Sequence, residues 1–247
     1  MTQADLPRRL VAELLGTGLL VAVVVGSGIA AQNLSPGQTG LQLLQNSLTT
    51  VFGLGVLILL FGPVSGAHFN PVVSAADWLL GRRAGTGLSG RETLAYSGVQ
   101  VVGAVLGALL ANVMFELPAV QVSTTERGGL GLWVGEVVAT TGLVALIIGL
   151  ARSRRAALSA VAVASWIGAA YWFTSSTSFA NPAVTVGRVF SDTFAGISPG
   201  STPGFVAAQV IGGLAGLGLA VALYPDAAMA AADITVPHAS TSPERQR

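Results

Sequence analysis

Ser65-Gly66-Ala67-His68-Phe69-Asn70-Pro71-Val72-Val73-Ser74 and its later counterpart Ser178-Phe179-Ala180-Asn181-Pro182-Ala183-Val184-Thr185 decide how this chain is read. Proline lacks a backbone N–H and sits well in the first turn of a helix, and Asn is a strong N-cap. Each Asn-Pro therefore reads as a cap followed by the first helical residue. The apolar runs that follow, Pro71–Leu80 and Pro182–Phe190, are helix-like but too short to cross a bilayer. A single Asn-Pro is ordinarily just a helix start. Two of them in matched surroundings call for a common explanation.

Around them lie six longer apolar stretches: Leu10–Ala31, Leu41–Pro63, Thr93–Phe115, Leu130–Ala151, Ala157–Tyr171 and Pro203–Tyr224. A spanning helix needs about 20 mostly apolar residues, so these predict six spans, the fifth being the shortest. Arg8 and Arg9 before the first run resemble the start of a signal peptide, but with further spans following, the run reads as a spanning anchor. Composition agrees: 52% of the 247 residues are hydrophobic and 9% charged, with a mean hydropathy of +0.70, where soluble domains carry about a quarter charged residues. The chain has no Cys, which leaves no basis for a disulfide framework, a zinc cluster or a thiol nucleophile, and no metal or cofactor is expected. A net charge of +1 without a basic stripe gives no footprint for nucleic acid. There is no Ser-His-Asp set and no motif of paired carboxylates, so an enzyme is not expected.

The spans repeat. Glu13, Thr17 and Leu20 in the first share their spacing with Glu136, Thr140 and Leu143 in the fourth. Gln100, Gly103 and Gly107 in the third match Gln209, Gly212 and Gly216 in the sixth, and an Asn-Pro segment falls between the members of each half. Three spans per half is an odd number, so the second half must be inverted relative to the first. The fold class predicted is an all-α membrane protein of six transmembrane helices plus two re-entrant half-helices in inverted repeat. The domain is placed at residues 1–224, with repeats at about 8–116 and 129–224, and a cytoplasmic tail at 225–247. Of the arginines, Arg8, Arg9, Arg82, Arg83, Arg91, Arg152, Arg154, Arg155, Arg245 and Arg247 fall on the side of the termini, and Arg127 and Arg188 on the other. The excess of positive charge predicts that both termini are cytoplasmic, in the cell's inner (plasma) membrane.

The Ser-Gly-Ala-His-Phe-Asn-Pro string at 65–71, Asn181-Pro182-Ala183 and the paired Glu-Thr and Gln-Gly motifs together resemble the aquaporins and aquaglyceroporins, the major intrinsic proteins, over about residues 8 to 224. The resemblance implies a homotetramer in membrane lipid with one pore per subunit. It also implies that the Asn70 and Asn181 amides donate to passing small neutral solutes while loop carbonyls accept. Half-helices entering from opposite faces would bring their positive N-terminal ends together at the centre, which repels cations and breaks a proton wire. Pro71, Val72, Pro182 and Ala183 complete the half-helix motifs. By the same resemblance Glu13 and Glu136 brace the re-entrant loops, a reading preferred here to a proton relay, and His68 shapes its loop. Trp166, Tyr171 and Trp172 read as interfacial anchors.

Two positions depart from the family pattern. Val184 stands where an Arg usually narrows the outer constriction, and Val72 where Ala is usual, which suggests a repacked waist. Counting from the two Asn residues, the other constriction positions are Ser178, either Gly168 or Ala169, and either Thr50 or Phe52. Small or uncharged groups there predict a constriction wide enough for solutes larger than water: glycerol-like polyols, urea, hydrogen peroxide or neutral metalloid acids such as arsenous acid. Arg188, one turn after Val184, is a candidate for the outer vestibule or a side chain snorkelling to the interface. A secondary transporter is the alternative class, since it too is built on inverted repeats.

Overall fold

The computed structural model describes residues 4–82 and 85–224. Arg83 and the tail at 225–247, with Arg245 and Arg247, lie outside the described residues. The described chain is all-helical: α1 (Leu6–Leu34), α2 (Thr39–Ser65), α3 (Pro71–Gly81), α4 (Gly90–Met114), α5 (Leu130–Arg152), α6 (Ser159–Phe173), α7 (Pro182–Gly187) and α8 (Thr202–Leu223). Six of these are long and apolar enough to cross a membrane, once the 3-10 turn Ala156–Leu158 leading into α6 is included. Large apolar side chains such as Phe52, Leu59, Leu94, Val161 and Ile211 are exposed on the bundle's outside, where lipid is the solvent. The two short helices, α3 and α7, begin at the Asn-Pro pairs and are the re-entrant half-helices of the inverted repeat.

That repeat is visible in the packing. In the first half α4 lies against α1, and in the second α8 lies against α5. A Cβ at Gly103 would run into the carbonyl oxygen of Leu14, and one at Gly107 into that of Gly18. In the other half Gly212 meets the carbonyl of Val137 and Gly216 that of Thr141. Leu14 and Val137 each follow the Glu of the Glu-x-x-x-Thr motif, and Gly18 and Thr141 each follow its Thr. The two sequence motifs of each half are therefore the two faces of one contact, in which small residues let backbones approach within van der Waals distance. The half-helices then cross over: α7 packs on α4 of the first half and α3 on α8 of the second.

Between α2 and α3, and again before α7, buried chain runs without helical hydrogen bonds inside the bundle of apolar helices. This is tolerated only where other protein groups take the backbone's polar atoms. Residues Ala67 and Phe69, at φ of +51° and +51°, and their counterparts Ser178 and Ala180, at +49° and +48°, adopt left-handed conformations that L side chains disfavour. Alternation of this kind turns successive N–H groups to one side, forming a concave anion-binding nest. In the first loop the nest holds Glu13, whose carboxylate accepts from His68 N at 3.0 Å, Phe69 N at 2.7 Å, Ser65 Oγ at 2.6 Å and Gln100 Nε2 at 2.8 Å. In the second, Glu136 accepts from Phe179 N at 2.8 Å, Ala180 N at 2.8 Å and Gln209 Nε2 at 2.6 Å. Each Gln also donates to the hydroxyl of the adjoining half-helix, Ser74 at 3.1 Å and Thr185 at 2.8 Å.

Replacing Gly107 with Val sets a branched side chain against the Gly18 carbonyl and is expected to destabilise by about 3 kcal/mol. Gly98→Ala is the control: it faces nothing within 4 Å and should gain about 0.5 kcal/mol from lost chain entropy. Thermal unfolding of the two variants in detergent checks this ordering. Glu136→Gln turns an NH2 toward N–H donors in a buried nest. Its unfolding midpoint should drop as for a loss of about 3 kcal/mol, and an unchanged midpoint would show that the nest does not depend on the carboxylate.

Candidate functional site

The two half-helices meet end to end through their caps. Asn70 Oδ1 accepts from Val72 N at 3.0 Å, and Asn181 Oδ1 accepts from Ala183 N at 2.9 Å and Val184 N at 3.3 Å, so each side chain caps its own helix. The amide nitrogens reach across. Asn70 Nδ2 donates to the Ala180 carbonyl at 2.8 Å, and Asn181 Nδ2 donates to the Phe69 carbonyl at 2.8 Å. An amide NH2 has two donors. One is spent on the opposite loop, and one on each Asn remains for whatever occupies the space between them.

That space is a narrow cavity running along both Asn residues. Its walls follow helical spacing: Thr50, Leu54 and Ile58 on α2, Val163, Ile167 and Tyr171 on α6, Leu20 and Val24 on α1, and Leu143 and Ile147 on α5. Residues 67–70 and 178–181 complete it. In a trans peptide the C=O points away from the following N–H. Because His68 and Phe69 turn their N–H groups to Glu13, the Ala67 and His68 carbonyls point away from it, and the Ser178 and Phe179 carbonyls likewise point away from Glu136. The lumen is thus mostly apolar, with a short file of acceptors on each loop and two amide donors where the files meet. His68 lines it while its Nδ1 lies 3.1 Å from Ser74 Oγ and its ring stands edge-on to Tyr96.

Thr50, Tyr171, Ser178, Val184 and Arg188 come together on this one cavity. Thr50 Oγ1 and the Tyr171 hydroxyl are 3.2 Å apart, and the buried Ser178 hydroxyl has no partner among the described residues. Arg188 is buried, donates from Nε to the Ala195 carbonyl and lies over the Phe179 ring. Arg127, in the loop before α5, approaches the same ring, and burial pushes its pKa down.

Three counted positions fall elsewhere. Phe52 is two residues past Thr50, a rotation of about 200° around a helix, and is 69% exposed on the outside. Ala169 stands in the same relation to Ile167 and Tyr171 and is exposed too. Gly168 turns toward Val51 of α2. Counting back from Asn181 assumes a fixed loop length, and the loop after α6 instead brings Tyr171, read from sequence as an interfacial anchor, into the lumen. Val72 is also off the cavity: it is buried against Gly213 of α8, whose missing Cβ leaves room for it.

A sequence model described as "Major intrinsic protein" matches residues 1–178. The chain is similar to the aquaglyceroporin AqpS of Rhizobium meliloti (strain 1021), with 49% identity over 219 residues that cover 89% of this chain and 91% of that one. It is also similar to aquaporin AqpM of Methanothermobacter marburgensis, with 28% identity over 246 residues covering 89% of this chain and 97% of that one. In fold it aligns with the X-ray structure of the aquaglyceroporin from Plasmodium falciparum at a TM-score of 0.62 and 19% identity, covering 92% of this chain and 100% of that one. On the family match and the AqpS likeness, the chain belongs to the major intrinsic protein family.

Proposed function

We propose that the chain is a passive membrane channel for small uncharged solutes: water, glycerol-like polyols and neutral metalloid acids such as arsenous acid, with protons and ions excluded. The observation that carries this is the pair of Asn amides, each locked by a cross-bond to the opposite loop and each keeping one donor for the lumen. A solute with an oxygen acceptor can shed its water against these donors and the loop carbonyls, and slide on an otherwise apolar wall. The R. meliloti relative, named an aquaglyceroporin, supports a solute class wider than water. Val184 at the outer wall supports the same breadth, because it offers bulk but no donor.

The wider setting follows the family and the charge distribution. We place the channel in the inner (plasma) membrane as a homotetramer, with both termini cytoplasmic on the strength of the arginine asymmetry. Glu13 and Glu136 argue against the transporter alternative. Their carboxylates are taken up by four and three donors respectively, which leaves little freedom to bind and release a coupling ion.

Purified protein in proteoliposomes is expected to pass water, glycerol and arsenous acid down their gradients with a low activation energy and without saturation. Asn70→Ala or Asn181→Ala should insert yet reduce glycerol flux by about tenfold, a barrier change of about 1.4 kcal/mol. Saturable uptake driven by a proton or sodium gradient would sink the channel proposal. Val184→Arg adds a guanidinium at the outer wall and should slow glycerol by about tenfold while affecting water less. Water alone crossing the unaltered protein would refute the wide constriction.

A further inference from the structure

Val184 leaves that stretch of wall without a donor, yet a guanidinium sits one helical turn further on. Arg188 is 2% exposed, lines the cavity and makes one hydrogen bond, from Nε to the Ala195 carbonyl. Its Cζ lies 3.4 Å from the centroid of the Phe179 ring, a stacked arrangement. Among the described residues no acceptor takes the N–H groups of its two terminal nitrogens. Neither nitrogen is sealed inside the protein. A side chain buried this deeply with its free donors unsealed, on the wall of a cavity, delivers those donors to the lumen.

Arg127 holds the arrangement from outside. Its Nε donates to the Gly196 carbonyl at 2.8 Å and a terminal nitrogen donates to Phe194 at 3.1 Å, while its Cζ is 5.2 Å from the same Phe179 ring. The carbonyls of residues 194, 195 and 196 therefore receive two guanidiniums between them, and one aromatic ring stands against both. The loop carrying these carbonyls is itself pressed onto α1, where a Cβ on Gly28 would come within 3.1 Å of Ala195. Two cations this close repel each other, so their positions are imposed by the carbonyls and by the negative face of the ring.

We propose that Arg188 is the cationic, donor-bearing residue that sets specificity at the outer constriction, and that Arg127 is a positioning residue acting through Phe179 and the 194–196 carbonyls. The proposal rests on the channel reading. It separates two properties that one residue would otherwise combine: the wall at Val184 stays wide and apolar, while charge and donors stand about 6 Å further along the half-helix. Polar uncharged solutes with oxygen acceptors are met by the guanidinium's donors, and cations by its charge.

The test uses full-length protein in vesicles, with proton leak followed by an entrapped pH dye under a potassium diffusion potential, and glycerol and water flux measured in parallel. Arg188→Gln should raise the ratio of proton leak to glycerol flux by about tenfold. Arg188→Lys keeps a point charge but loses the planar fork; it should hold the leak near the unaltered level while changing the glycerol-to-water ratio. Arg127→Gln should give a smaller leak in the same direction. If R188Q does not insert, Phe179→Leu reads the same quantity by removing the stack. An R188Q or F179L channel that passes glycerol and excludes protons as the unaltered protein does overturns this proposal alone. Unaltered protein that passes no solute overturns the channel reading, and this proposal with it.

Discussion

A carboxylate buried in a nest of backbone N–H groups is the interaction on which the rest of this structure depends. A membrane interior offers no water to an unpaired amide, so a stretch of irregular backbone survives there only if its polar atoms are taken up inside the protein. Glu13 and Glu136 absorb the N–H side of the two loops, which orients the carbonyl side to the lumen. The left-handed residues at 67, 69, 178 and 180 are the strain that this arrangement carries, and it is the same in both halves. Without the carboxylates those conformations would have no compensation, and the caps Asn70 and Asn181 would have no fixed loops to reach across to.

Close helix packing serves the same end. The Gln residues that steady the carboxylates sit on α4 and α8, three residues before the glycines that let those helices touch α1 and α5. Bringing the backbones together is what brings Gln100 within 2.8 Å of Glu13 and Gln209 within 2.6 Å of Glu136. A bulkier residue at Gly107 or Gly216 would separate the helices and loosen the nest indirectly. Fold and site are thus coupled in each half through one sequence of contacts: glycine, glutamine, glutamate, loop, asparagine.

Much of this was legible in the sequence because the chain carries two copies of it. The six spans, the half-helix starts at Pro71 and Pro182 and the inverted order follow from apolar length and from motifs that recur in register. What could not be read was which face of a uniformly apolar helix turns inward. In α6 nearly every residue from Val161 to Tyr171 is compatible with lipid or with lumen, so no amphipathic stripe distinguishes Ile167 and Tyr171 from Gly168 and Ala169. Only the Thr50–Tyr171 contact and the i, i+4, i+8 spacing of the wall resolve it. Arg127 was visible as a charge on the side away from the termini, but its approach to Phe179 depends on a loop path that residue types do not encode.

The two departures from the family pattern come out differently once their neighbours are known. Val72 adds methyl groups beside the central Asn, but these are directed at Gly213, so the larger residue on α3 is matched by the smallest residue on α8 and does not line the cavity. Val184 has no such complement, since it lines the cavity itself. Its effect is felt in the lumen: it removes donors at one level of the wall while leaving Phe179, Ser178 and Arg188 around it. A substitution absorbed by packing leaves the permeation path as it was, and one that faces the path changes what the wall offers a solute. Val184 is of the second kind: it faces the cavity and offers a solute apolar surface with no side-chain donor.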